Sequence, residues 1–265
     1  MPQDAKVLDV RDSSTRIAAA PAVPPMRAAN PGNLRVVDDR DNDIHPTVVI
    51  EGDVRLGRGN RIGPYSVLIG PLEIGNYNII APHVTIGGPG QDTRQRHHDC
   101  SGARIRIGSG NIIREYSSIS KPVHRLITSV GDRCFLMQGV HIAHDLEVQD
   151  DVTVAGVTAI AGLVRLLRGA HIAPACAIHQ HSVIGHYSMA SLNATVQKNI
   201  PPFSRYIPRV PLSVNHYAIE KFGYEKHADE IADYVLRRVP PHSSAIVEIV
   251  SEFEALSLAS GRKSC

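Results

Sequence analysis

The segment GVHIAHD, residues 139–145, places two imidazoles and a carboxylate close together: His141, His144 and Asp145. An imidazole with an ordinary pKa near ~6.5 takes and returns a proton at neutral pH, and an adjoining carboxylate fixes its tautomer and favours the imidazolium once formed. Such a pair suits abstraction of a proton from a hydroxyl or an amine. The chain holds 14 His, so this spacing alone does not separate a base from a solvated surface ring. The elements that carry the segment must decide.

Those elements follow a period of six. Ile44, Ile50, Leu56, Ile62, Leu68, Ile74, Ile80 and Ile86 are all aliphatic; a second phase runs through Ile107, Ile113 and Ile119; a third begins at Val130 and continues through Ile142, Ile160 and Ile178 to Val196. The period rules out an amphipathic helix, whose apolar face recurs at three, four and seven, and exceeds the two-residue alternation of a plain strand. Small or β-branched residues recur four places after the aliphatic one, as at Ser66, Val84, Ser117, Val140, Thr158 and Ser182. Glycine often follows it directly, at Gly57, Gly63, Gly75, Gly87, Gly108, Gly131 and Gly185. Each hexad therefore reads as a short strand with two inward side chains and a bend where glycine supplies a positive φ.

Three such faces make a triangular coil of 18 residues, stacked about 4.8 Å above its neighbour by parallel strand pairing. The phase slips between Ile86 and Ile107, and between Ile119 and Val130, mark insertions that leave the coil; one carries the polar run GGPGQDTRQRHHDCSG. Residues 1–43, rich in Ala and Pro, read as an extended or disordered arm, and 44–200 as the coil. Residues 201–265 read as a small helical cap. IPPFSRYIPRVPL is expected to stop the coil, after which ADEIADYVLRRV and SAIVEIVSEFEALSLA space their apolar residues three and four apart. Ile142 is the inward residue of its hexad, so His141 and, beyond Ala143, His144 and Asp145 are expected to project outward.

Composition narrows the function. Of 265 residues, 28 are Lys or Arg and 26 Asp or Glu, a formal charge of +2, which argues against a general nucleic-acid binder. No apolar run approaches the ~18–20 residues that cross a bilayer, and the first residues lack a secretory pattern. A cytoplasmic protein is expected. The widely spaced Cys100, Cys134, Cys176 and Cys265 read as reduced thiols.

The hexapeptide repeat resembles that of the left-handed parallel β-helix proteins, and the handedness is taken from that resemblance. Within it, HIAHD, followed by AIHQ (177–180) and a prolyl stretch, is similar to the UDP-N-acetylglucosamine O-acyltransferases of lipid A synthesis. IHPT at 44–47, the GQD loop at 90–92, IRE at 113–115 and PPFSRYI at 201–207 add to the likeness, which covers about residues 44–225. The resemblance implies a homotrimer with sites between subunits. It implies acyl transfer from an acyl carrier protein or coenzyme A thioester to a hydroxyl of a nucleotide sugar such as UDP-N-acetylglucosamine, with no cofactor or metal. His144 becomes the general base, supported by Asp145; Asp92, His141 and His179 position the acceptor; the Gly162 amide stabilises the oxyanion; Gln180 lies along the acyl chain.

The departures from that family fall where acceptor and chain length are set. Leu163 follows Gly162 where His is usual, and SKPVH replaces the usual Arg-Gly-Thr after the IRE strand. In the cap, the aligned residues are Tyr217, Glu220, Lys221 and Phe222, of which Lys221 alone keeps a charge suited to phosphate. Ser191-Leu192 replaces a Gly pair, and the Leu192 side chain fills room needed by a long tail, so a short or medium acyl group is expected. An alternative is therefore a relative acylating another hydroxyl or amine. A zinc-dependent carbonic-anhydrase-like trimer is the alternative from another class, its ligands drawn from His141, His144, and His179 or His97/His98; a non-catalytic scaffold is a third. Arg94, Arg96, Arg104 and Arg106 are candidate contacts for an acyl carrier protein.

Overall fold

The computed structural model of the chain describes residues 35–37, 41–93 and 102–265. The unit from Pro31 to Cys265 is a left-handed parallel β-helix. Its strands fall in rotation on three sheets: a first running from Arg35–Val37 to Val183–Ile184, a second from Asp43–Ile44 to Ser213–Val214, and a third from Val49–Glu51 to Thr195–Val196. The expected aliphatic positions meet in register. Ile50, Leu68, Ile86, Ile119, Ile142, Ile160, Ile178 and Val196 form one such ladder, from the first pair to the last.

All members of that ladder are buried, as are Ser66, Val84, Ser117, Val140, Thr158 and Ser182 at the second inward position. Full burial of each Ile is worth about 1.5–3 kcal/mol. Half-buried Ile44 lies near the first coils, where the ladder has no strand of its own sheet before it. A polar ladder runs beside the apolar ones: Asn60 Oδ1 accepts from the Asn78 N–H and the Asn111 N–H donates to Asn78 Oδ1, both at 2.9 Å.

The glycines of the hexad do a different job from the one expected. Of the seven that follow the aliphatic position, only Gly87 has a positive φ. The left-handed residue comes two places later and is usually not glycine, as at Tyr65, Tyr116, Asp145 and Leu163. Glycine is needed for close approach of stacked coils: a Cβ at Gly75 would lie 2.7 Å from the Gly108 carbonyl oxygen. Each non-glycine residue in this conformation costs roughly 1–2 kcal/mol, which the pairing above and below offsets.

The coil also begins earlier and ends later than expected. Arg35–Val37 pairs in parallel with Asp53–Arg55, inside the segment read as an arm. The prolines after residue 200 do not stop the second sheet: Ser204–Tyr206 adds a parallel strand beside Met189–Ala190, and Ser213–Val214 then pairs antiparallel. Proline is tolerated at such an edge because no further ladder bond is demanded of it. The cap has α1 (His216–Lys221), α2 (Ala228–Arg237) and α3 (Ser244–Ser260). Helix α2 buries Ile231, Tyr234 and Val235, three and four apart, and Phe253 of α3 packs on Leu167 and Val183 of the prism. No helix among the described residues is long and apolar enough to cross a membrane.

Candidate active site

Between the third sheet and the first, each coil turns the same corner, and the candidate residues gather along it. Because Ile142, Ile160 and Ile178 stand in register, His144, Gly162 and Gln180, each two residues further on, occupy equivalent places in three successive coils. Both insertions leave the prism at this corner. One runs between Gly88 and Arg104, the other between Ser120 and Ile127.

Asp145 organises the corner. It holds φ at 63°, and its N–H donates to Thr128 Oγ1 at 2.9 Å. Its carboxylate accepts from the backbone N–H groups of Val123 (3.1 Å), His124 (3.0 Å) and Arg125 (2.6 Å), all in the second insertion. It also lies 2.7 Å from His144 Nδ1. Burial pushes the Asp145 carboxyl upward, but the bonds from His144, His124, Arg125 and Val123 outweigh it and hold it below the ordinary carboxylate range. An ionised carboxylate only accepts, so this network assigns the proton to His144 Nδ1 and leaves a lone pair on Nε2.

His144 faces outward from the coil but is roofed. Its side chain is 8% exposed and that of Asp145 fully buried. The ring lies against Gly162, where a Cβ would come within 2.3 Å of Cε1 and 2.5 Å of Nε2. Gly90 packs near the His144 Cβ, and the His124 ring meets the His144 ring edge to face at 5.6 Å. The Gly162 carbonyl accepts from the His181 N–H, while its own N–H donates to no group among the described residues. A proton acceptor and a free amide donor therefore adjoin each other at one corner, the pair required to activate a hydroxyl and to hold an oxyanion.

The other sequence candidates divide by location. His141 is half-buried, accepts or donates at Nδ1 with Ser118 Oγ (2.8 Å), and burial together with nearby His144 lowers its pKa, which favours the neutral ring. Asp92, 7% exposed, lies 2.7 Å from His124 Nε2. His179 and Gln180 are exposed and tied to the C-terminal tail: Arg262 bonds His179 Nδ1 and donates from Nη1 to the Gln197 carbonyl (3.0 Å) and from Nε to that of Gln180. Leu192, 70% exposed, stands on the corner between the second and third sheets. Lys221 sits in α1 over the rings of Tyr217 and Phe222. One chain does not bring these two to His144.

His124, Arg262 and Thr128 are the residues that sequence reasoning missed. His124 lies in SKPVH, inside the phase slip already seen between Ile119 and Val130; Arg262 follows α3 with no periodic signal. Of the proposed acyl-carrier contacts, Arg104 and Arg106 pair with Glu73 at 3.0 and 3.1 Å, and Arg94 and Arg96 lie outside the described residues, as do His97 and His98. Ligand atoms of His124, His144 and Asp145 lie within 4.8 Å of one another. That is a different trio from the zinc set read in the sequence. Three backbone N–H groups and an imidazole already occupy the Asp145 carboxylate, so a cation would have to displace them, and the donors fit a base better than a metal.

Comparison with known proteins bears out the resemblance. The bacterial transferase hexapeptide family (six repeats) matches residues 53–88. The acyl-[acyl-carrier-protein]–UDP-N-acetylglucosamine O-acyltransferase of Alkalilimnicola ehrlichii is 32% identical over 138 residues, 51% of this chain and 54% of that protein. The protein of the same name from Aliivibrio fischeri is 28% identical over 180 residues, 65% and 69% of the two chains. Against the Synechocystis relative the match spans 37% of its length, so the chain matches about a third to a half of several such relatives. The solved structures of the UDP-N-acetylglucosamine acyltransferases from Bacteroides fragilis and Campylobacter jejuni both superpose with a TM-score of 0.69, at 24% and 21% identity. They cover 85% and 82% of this chain and 98% and 93% of their own, a likeness of fold.

Proposed function

We propose that this chain is an acyltransferase that moves an acyl group from a thioester of acyl carrier protein, or coenzyme A, to a hydroxyl of a nucleotide sugar such as UDP-N-acetylglucosamine. The observation that carries the reading is the buried His144–Asp145 pair, its Nε2 edge against a glycine, neither that atom nor the glycine amide being bonded by any group among the described residues. His144 takes the proton of the acceptor hydroxyl as its oxygen attacks the thioester carbonyl. The Gly162 N–H receives the developing oxyanion. Collapse expels the thiolate, to which the His144 imidazolium returns the proton. No protein nucleophile is needed: Cys134 and Cys176 are buried, and burial pushes the Cys134 thiol up to about 12.

The working unit is a homotrimer. The outer faces of the second and third sheets carry Ile79, Ile112, Val49 and Ala159, whereas that of the first carries Arg55, Glu73, Arg104, Arg106 and Glu147. Apolar faces flanking one corner favour burial around a three-fold axis. In such a trimer the second sheet of one subunit packs on the third sheet of the next, whose end leads into the corner of His144. The decisive experiment incubates the protein with acyl carrier protein and coenzyme A thioesters of several lengths plus UDP-N-acetylglucosamine, following thiol release and the mass of the acylated sugar. Thiol release with only another acceptor present keeps the chemistry and discards the sugar nucleotide.

A further inference from the structure

The corner carries a second histidine–carboxylate pair that the reaction above does not use. Eleven residues separate Ile119 from Val130, where the next coil takes six from Ile142 to Val148, and the excess forms the loop over His144. Its amides are spent on Asp145, and this fixes the loop on the base rather than leaving it to solvent. The side chain it delivers is His124, whose Nε2 lies 2.7 Å from Asp92 Oδ2, a residue of the other insertion. Two excursions from separate coils thus meet through this hydrogen bond above the base.

His124 is an exposed residue whose ring is nonetheless held by two neighbours, Asp92 and His144. Its side chain is 27% exposed, between nearly buried His144 at 8% and open solvent, and its edge meets the His144 ring. Asp92, itself 7% exposed, accepts at Nε2, so the hydrogen-bonding capacity left to the ring is Nδ1. No group among the described residues bonds that atom. Asp92 thereby orients His124 as Asp145 orients His144, in the manner of a carboxylate fixing a ring for a partner.

From this juxtaposition we infer that His124 is an acceptor-binding residue, its Nδ1 forming a hydrogen bond with a hydroxyl or other polar group of the acceptor while the reacting hydroxyl meets His144 Nε2. The inference rests on the proposed acyl transfer and adds the specificity contact to it. Asp92 is then a positioning residue that acts through His124. The acceptor class this selects is one with at least two polar groups close together, one to react and one to be held, as in a sugar or a diol. A simple alcohol forgoes the second contact.

The test measures thiol release at varied acceptor concentration for wild type, His124→Ala, His124→Asn, Asp92→Asn and His144→Ala, with melting temperatures for each. Expected for His124→Ala is a KM for the acceptor raised about tenfold or more, the scale of one lost polar contact, with kcat changed less than about threefold and the thioester KM unmoved. Asparagine at 124 restores much of the loss, and Asp92→Asn shifts the acceptor KM in the same direction but less. An unchanged acceptor KM in His124→Ala overturns the inference. So does a fall in kcat and melting temperature with KM constant, the mark of a loop merely loosened. Full activity in His144→Ala instead strikes the acyl-transfer reading itself, so the two failures are told apart.

Discussion

His144 Nδ1 and Asp145 Oδ2 lie 2.7 Å apart on consecutive residues, a contact made possible by the left-handed turn at Asp145, φ 63°. An extended Asp145 would send its carboxylate to the opposite face of the strand from His144. The corner of the β-helix therefore builds the pair, and the loop from Lys121 to Arg125 locks it by pointing three amides at the carboxylate.

Asp145→Ala is expected to destabilise the fold as well as the chemistry. It leaves the amides of Val123, His124 and Arg125 without their acceptor under a buried corner. A loss of about 2–4 kcal/mol follows from stranding buried donors of a charge-assisted network. Urea unfolding of wild type and variant, monitored by circular dichroism, reads it directly.

Gly162→Ala is expected to abolish turnover while the coil stays folded. The added methyl falls 2.3 Å from His144 Cε1, so the ring must leave its place against the Gly162 amide. Gly156→Ala, whose Cβ meets only the Gln138 carbonyl oxygen at 3.1 Å, serves as the control in the same assay and keeps most of the rate.

Acid stability has an identified contributor in the cap. Glu230 accepts from the backbone N–H and hydroxyl of Ser243 and from the His242 N–H, tying α2 to the start of α3. Burial raises its pKa, but the bonds from Ser243 and His242 bring it down to about 2. A depressed carboxyl stabilises the fold above its unfolded value near ~4.3 and ceases to do so as pH falls toward about 2. Melting temperature should therefore drop between those limits, and Glu230→Gln should flatten that part of the profile.

Leu192→Gly is expected to shift preference toward longer acyl thioesters. The residue stands 70% exposed on a corner away from His144, so a role beside the acyl chain requires the proposed trimer. Sedimentation giving three times the 28.7 kDa chain mass, with an altered chain-length profile in the variant, confirms both parts. A monomer with an unchanged profile removes this residue from the groove.

The period of six was enough to place the interior, because an inward position every sixth residue leaves no other way to bury Ile142 and its partners. It also located both insertions. The glycines misled, since the pattern does not tell close approach from positive φ, and only stacked coils show Gly75 facing Gly108. His124 and Arg262 were out of reach for a related reason. Their partners Asp92 and His179 lie 32 and 83 residues away along loops and tails that carry no repeat. Lys221 lies on α1 and Leu192 on the corner between the second and third sheets, away from His144, so nothing in a single chain's repeat links them to it.

The most direct measurement compares acyl transfer to the sugar hydroxyl by wild type and by His144→Ala at the same protein concentration, with folding of the variant checked by its melting curve. A folded variant slowed by about a thousandfold or more, the upper range for a positioned general base together with its supporting network, is expected. A folded variant that transfers acyl groups at the wild-type rate contradicts a base at position 144.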